Sequence, residues 1–224
     1  IPVDEHGRAV IGTWSRWFTG LYAAGDSSCS GLHGAGILPG NRLLDAISGG
    51  KSAGEHAANW SKGAKLTNAD NIFANLKECK ERYAAQFSDE EVESVQRIGA
   101  LQSQINNVAN LYVSGANSAD DLAGYLTSLS ELQTEAETIH LDQKSLIANT
   151  NLIAKNNSLA SIRLLRCSII SAQSRNESRG SHVRSDFPDH DDELLHHITV
   201  DKDDNVGTLA LRKGAMGNWL LAPQ

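Results

Sequence analysis

Basic charge is scarce in this chain of 224 residues: 20 Lys and Arg stand against 27 Asp and Glu, a formal net charge of -7. Nucleic-acid affinity comes largely from phosphate neutralisation by a basic face, so no nucleic-acid partner is expected. Cysteine is scarcer still. Cys29, Cys79 and Cys167 are odd in number, widely spaced and without a CxxC, which argues against a disulfide framework or a zinc ribbon and suits a reducing compartment. No run of about 18 uncharged apolar residues occurs, so direct membrane insertion is not expected, and no signal peptide is seen. Methionine is almost absent: the chain opens on Ile1 and Met216 is its only methionine, so a fragment or processed product is expected. Hydrophobic residues at 40% and charged residues at 21% describe an ordinary globular protein, with length enough for one or two domains.

Three textures follow one another. Residues 1–60 are rich in Gly and Ala, with short extended pieces at Ile1-Pro-Val-Asp4 and Gly20-Leu-Tyr-Ala-Ala24 and a turn signal at Asp4-Glu-His-Gly7. A helix is expected just after Pro39-Gly40, carrying Leu43, Leu44 and Ile47. Gly49-Gly50 weakens it by roughly 1 kcal/mol each unless close packing requires them, and its many small residues suggest a helix pressed against something. Residues 66–178 are helical by period. One stripe is Ile72, Phe73, Leu76, Cys79, Tyr83 and Phe87. Ser88-Asp-Glu-Glu91 is a capping box that starts a second, Val92, Val95, Ile98, Leu101, Ile105, Val108 and Tyr112. A third runs from Leu122 through Leu129 to Ile139, and a fourth from Leu159 through Ile162 to Ala172. All four read as core of an antiparallel bundle. Residues 179–224 return to a strand, a turn and a strand, His197–Val200, Lys202–Asn205 and Val206–Leu211. The fold class is α+β.

The segment Gly20-Leu-Tyr-Ala-Ala-Gly-Asp26 followed by Gly31-Leu-His-Gly-Ala35 carries the most chemistry. A short apolar strand ending in Gly-Asp can present a carboxylate to a ribityl or ribose hydroxyl; the alternative is a solvent-exposed turn aspartate. The segment resembles the C-terminal FAD-contacting element of the succinate dehydrogenase/fumarate reductase/L-aspartate oxidase flavoproteins, Gly-Leu-(Tyr/Phe)-Ala-x-Gly-Glu, then His-Gly-Ala-Asn-Arg-Leu-x-x-Asn-Ser-Leu. Here the second part stands as His33-Gly-Ala-Gly-Ile-Leu-Pro-Gly-Asn-Arg-Leu43. A second match lies far along the chain: Arg175-Asn-Glu-Ser-Arg-Gly-Ser-His182, with Arg184-Ser-Asp-Phe-Pro188, is similar to the family's Arg-x-Glu-Ser-Arg-Gly-x-His…Asp-(Phe/Tyr)-Pro signature, again after a helical bundle.

The resemblance implies that residues 1–60 are the C-terminal edge of an FAD-binding domain, 66–178 a helical bundle and 179–224 a tail with a β-hairpin. It implies FAD as cofactor, touched by Asp26, Asn41, Arg42 and Leu43, and a small dicarboxylate substrate near His33, Gly40 and Arg42. It also implies an iron–sulfur subunit and membrane-anchor subunits as partners, with the protein cytoplasmic or peripheral on the cytoplasmic face of the membrane. Two departures matter. The family's carboxylate-binding Arg aligns with Ile37, and Arg42 stands where the family has Ser. Arg42 could pair a carboxylate bidentately, or face the FAD pyrophosphate or solvent. No catalytic residue is assigned. An L-aspartate oxidase and a non-enzymatic helical interaction module or inactive remnant are the alternatives.

Other constellations carry less. His182, Asp186, Asp189, His190, Asp191, Asp192, His196 and His197 resemble a metal cluster in composition only, since Pro188 breaks any aligning helix and no HxxxH or HExxH spacing occurs. There is no GxSxG elbow for a hydrolase. Arg179, His182 and Glu177 are expected to cap a helix C-terminus and bridge domains, with Gly180 as the C-cap glycine.

Overall fold

A computed structural model describes residues 1–65, 69–84, 97–139, 141, 145 and 147–211. The chain divides into two compact units: Ile1–Ala64 with Ala116–Ser118 and Ile170–Gln224, and Lys65–Gly115 with Ala119–Ile169. Two small antiparallel hairpins and five α-helices make the fold α+β, as the sequence predicts.

In the first unit, β1 (Arg8–Ile11) pairs with β2 (Thr13–Tyr22), Arg8 opposite Tyr22 and Val10 opposite Trp17, with bulges between. Asp4 builds the turn that feeds β1. Its carboxylate accepts from the amides of His6 at 2.9 Å and Arg8 at 3.0 Å, and the guanidinium of Arg8 closes on the other oxygen. Gly7 has φ +70°, and a Cβ there would lie 2.7 Å from Cβ of Ala53. Only glycine fits. Ala53 belongs to α1 (Asn41–Ser61), which starts after Gly40 as expected. Close packing of α1 is realised at Ala53 against Gly7, at Ala46 against Gly25 and at Gly49 against Ala24, while Gly50 and Gly54 meet nothing within 4 Å. At the other end of the chain, β3 (His196–Val200) and β4 (Val206–Ala210) form the expected hairpin, His197 opposite Leu209. Asp201 ties its turn by accepting from the amides of Asp203 and Asn205.

The second unit holds α2 (Ala69–Ala84), α3 (Ile98–Ser114), α4 (Ala119–Thr138) and the first five turns of α5 (Thr150–Ser174). The expected stripes are core on three of them: Leu101, Ile105 and Val108; Leu122, Leu129, Leu132 and Ala136; and Ile162 with Ile169 are buried. The stripe on α2 is not. Ile72, Phe73, Leu76 and Tyr83 are exposed, Phe73 by 68%. Periodicity shows that a face is apolar but not that this chain covers it, so the reading of that stripe as core is corrected. Phe87, the capping box Ser88–Glu91, Val92 and Val95 lie outside the described residues. Among the described residues no helix is long and apolar enough to cross a membrane.

Two polar side chains fix helix ends in this unit. Asn149 accepts from the amide of Leu152 at 2.9 Å, capping the start of α5. Lys155, 5% exposed, donates to the carbonyls of Glu137 at 3.1 Å and Ile139 at 3.2 Å at the end of α4. Burial lowers its pKa below the ordinary lysine value. Lys155→Ala leaves those carbonyls without their donor, and chemical denaturation should show a loss of about 1–3 kcal/mol.

Candidate functional site

Strand β2 runs through Ala23 and Ala24 into a turn at Gly25–Ser27, and a loop then leads to α1. Gly25 has φ +61°, and a Cβ there would stand 3.1 Å from Cβ of Ala46. This close seat brings Asp26 to the start of α1. Arg42 donates to it from Nε at 3.1 Å and from Nη2 at 2.6 Å, a bidentate pair with both partners exposed. The hydrogen bond from Arg42 holds the Asp26 carboxyl below its ordinary range, and Asp26 raises Arg42 in turn. A guanidinium in the first turn opposes the helix dipole, and Asp26 offsets it. Gly40 precedes the helix at φ +86° and no side chain caps it. Gly34 and Gly40 both sit in the left-handed region with open space where a Cβ would be. Around them Leu32, Leu38 and Leu43 are exposed by 74%, 69% and 69%, with Ile37 at 41%. His33 begins this loop with Nε2 3.3 Å from Oδ2 of Asp45.

The second motif is built on a buried carboxylate. The side chain of Glu177 is 0% exposed and bridges Arg175 at 2.5 Å and Arg179 at 3.0 Å while accepting from the Asp191 amide at 2.9 Å. Burial alone would push Glu177 up. The hydrogen bonds from Arg179, the Asp191 amide and Arg175 more than reverse this, to about 2. Arg175 also reaches the carbonyls of Leu194 and His196, anchoring the approach to β3. Arg184, 2% exposed, caps α5: Nη1 donates to the carbonyls of Ala172, Gln173 and Arg175 while Asp186 pairs its other side at 2.8 and 2.7 Å. His182 Nε2 lies 3.2 Å from the Arg175 carbonyl, and burial lowers the His182 pKa.

The capping role thus falls mainly to Arg184, which sequence reasoning missed; an arginine just past a helix with an aspartate two residues on was the available signal. Arg179 is spent on Glu177 and Asp192 instead. Gly180 is not the C-cap glycine, because α5 ends at Ser174. It lies in a tight turn closed by Arg179 and His182, whose amides each donate to the other's carbonyl, and its φ is +59°.

That turn joins the two motifs. The Ser181 amide donates to the Ala35 carbonyl at 3.0 Å and the Ser181 hydroxyl donates to the same oxygen. A Cβ on Gly180 would come 3.1 Å from both Cβ and O of Ala35. Nearby, a Cβ on Gly31 would stand 2.8 Å from Cε1 of His197. Of the predicted site residues, Asp26 and Arg42 are therefore paired, Gly40, Asn41 and Leu43 share the helix start, and His33 faces Asp45. Among the described residues no group of three or more His, Cys, Asp or Glu could hold a metal ion.

The Fumarate reductase flavoprotein C-term family matches residues 102–219. The chain is 30% identical over 168 residues to a fumarate reductase flavoprotein subunit of Serratia, covering 75% of this chain and 27% of that protein. It is 26% identical over 216 residues to the succinate dehydrogenase flavoprotein subunit of Rickettsia conorii, covering 94% and 35%. The chain thus spans about a quarter to a third of these relatives' length. Its fold is that of a chain of E. coli quinol fumarate reductase (TM-score 0.83, 22% identity, 100% of this chain and 37% of that one). It is also that of Mycobacterium smegmatis Sdh1 (TM-score 0.72, 22% identity, 95% and 35%). These matches do not favour an L-aspartate oxidase.

Glu177 sets the acid limit of this region. Its depressed pKa contributes stability that is complete above the ordinary value of 4.5 and is lost as pH falls toward about 2, amounting to about 3 kcal/mol. Glu177→Ala removes the buried carboxylate that Arg175 and Arg179 share and should cost about 3–5 kcal/mol at neutral pH, read by denaturant titration. The variant's stability should also fall less steeply than wild type between pH 4.5 and 2.

Proposed function

Because this chain belongs to the succinate dehydrogenase/fumarate reductase flavoprotein family, we propose that it is the carboxyl-proximal part of an FAD-dependent subunit that interconverts succinate and fumarate, or a related dicarboxylate pair. The observation that carries this reading is the clasp between Ala35 and Ser181. It holds the turn of the second family-like motif against the loop of the first, which leads into α1. In this reading residues 1–60 complete an FAD-binding domain, 66–178 are the bundle and 179–224 the tail.

The residues fit the cofactor. Gly34 and Gly40 leave open space on a loop flanked by exposed Leu38 and Leu43, a surface suited to a flat, largely apolar ring. The uncapped start of α1 favours acceptor oxygens and negative charge. Asp26, Asn41, Arg42 and Leu43 would hold FAD, with Asp26 accepting from a hydroxyl. FAD supplies hydride transfer with the substrate carbon. His33, Gly40 and Arg42 would face the dicarboxylate. Asp26 engages the Nε/Nη2 side of Arg42, so the guanidinium is oriented while its Nη1 side is left for a carboxylate oxygen. Ile37, apolar and part-exposed, offers no charge for that task. An iron–sulfur subunit and membrane-anchor subunits would complete the enzyme and hold it on the cytoplasmic face of a membrane. The exposed stripe on α2 also suits a helical interaction module without flavin, and flavin content separates the two readings.

The full-length protein should purify yellow and its flavin should bleach with succinate but not with aspartate. A colourless protein would leave the interaction module standing. The 224-residue piece should bind FAD more weakly than micromolar, read by fluorescence quenching. In the full-length protein Arg42→Ala should weaken dicarboxylate binding by about tenfold or more, the value of a charge-assisted hydrogen bond; unchanged affinity removes Arg42 from the substrate site.

A further inference from the structure

The first unit carries a second constellation, on β2 and α1, that the proposed function does not use. Only 5% of the residues are aromatic, yet Trp17 and Tyr22 of β2 meet His56 and Trp60 of α1. The ring centroids of Trp17 and Trp60 are 6.0 Å apart and those of Trp17 and Tyr22 5.8 Å, both edge-on, within the contact range of aromatic pairs. A Cβ on Gly20 would stand 3.3 Å from Cη2 of Trp60, so that glycine lets the indole lie against the strand. The Tyr22 hydroxyl is 2.8 Å from Nδ1 of His56, and His6 stacks on the same imidazole at 4.7 Å. None of these rings belongs to the buried core, and Trp60 is 37% exposed. Burial alone therefore does not account for the cluster.

A phenol loses an electron at much lower cost when its proton leaves at the same time, and a base within hydrogen-bond reach is what takes that proton. Against a neutral imidazole the phenol is the stronger acid, so Tyr22 donates to Nδ1 and the ring proton of His56 sits on Nε2. The indole of Trp17 is placed differently. The Arg8 guanidinium lies over it, 5.3 Å from the centroid, and disfavours positive charge that stays on that ring. We propose that Trp60, Trp17, Tyr22 and His56 form a one-electron relay, in which a soluble one-electron oxidant is reduced at Trp60 and the oxidising equivalent comes to rest on Tyr22. The oxidant gains one electron from the exposed indole, Trp17 returns it to Trp60, and Tyr22 returns it to Trp17 while its O–H proton moves to Nδ1 of His56. The product is a neutral phenoxyl beside an imidazolium. A soluble thiolate resets it by giving up one electron, leaving as a thiyl radical while the proton returns to the Tyr22 oxygen. Every member lies in the first unit, and the relay does not depend on the flavin reading.

The test is oxidation of the full-length protein by tris(bipyridine)ruthenium(III), an outer-sphere one-electron oxidant, with rapid freezing for electron paramagnetic resonance. Ring-deuterated tyrosine distinguishes a phenoxyl from an indole radical. Wild type should give an early phenoxyl signal. Tyr22→Phe should abolish it and leave a tryptophan radical in its place. His56→Phe keeps a ring in the cluster but no proton acceptor, and should slow the rise of the phenoxyl about a hundredfold, the lower end of what a positioned proton acceptor contributes. Trp60→Leu removes the entry point and should slow the rise as well. An early phenoxyl that survives Tyr22→Phe, or a rise unchanged by His56→Phe or by Trp60→Leu, would overturn the relay. Indole radicals alone in the wild type would do the same, and that arm needs no variant to fold. None of these outcomes touches flavin content, so the relay and the site reading stand or fall separately.

Discussion

The carboxylate of Glu177, closed off from water between two guanidiniums, is the interaction on which the rest of the first unit depends. A buried charge is tolerated when hydrogen bonds replace the water it has lost, and Glu177 has three donors, from Arg175, Arg179 and the Asp191 amide. Each donor is also committed elsewhere. Arg175 carries the approach to β3 through the carbonyls of Leu194 and His196. Arg179 opens the turn that presents Ser181 and also reaches Asp192. Asp191 begins the short turn before β3. One carboxylate therefore sets the position of the tail hairpin and of the loop at His33–Gly36.

A second arginine–carboxylate pair, Arg42 with Asp26, differs in kind. It is exposed, and in water such a pair contributes little to stability. Its effect is orientation: it fixes a guanidinium at a helix start where a cation would otherwise be disfavoured. Two pairs of the same chemistry thus serve different ends because one is dry and the other wet. His33 with Asp45 stands between them, mostly withdrawn from solvent but without the hydrogen bonds that settle Glu177.

Much of this was legible in the sequence. Local rules act over a few residues, and they located the turn at Asp4–Gly7, the entry to α1 after Gly40 and the tail hairpin to within a residue. Periodicity found the core faces of α3, α4 and α5 but could not tell a covered apolar face from a bare one, and so misread α2. Motif spacing singled out Asp26, His33, Arg42 and the Arg175–His182 run. It could not show that Asp26 and Arg42 pair, that Asp45 faces His33 or that Arg184 takes the capping role. These depend on where the chain returns after a helix of 25 residues or a turn of unforeseen shape. The early end of α5 displaced Gly180 from the role its sequence suggested, because nothing local distinguishes a C-cap glycine from a turn glycine with a similar φ.

The bond from Ser181 to Ala35 spans 146 residues, and the whole second unit is threaded between its two ends. In a flexible chain, closing a loop of that length costs about 4 kcal/mol of entropy, more than a pair of hydrogen bonds to one carbonyl returns. Once the helices of the intervening unit have formed, the effective loop is much shorter and the closure correspondingly cheaper. Closure of the edge that carries Asp26, His33 and Arg42 is therefore cheapest once the intervening helices are in place.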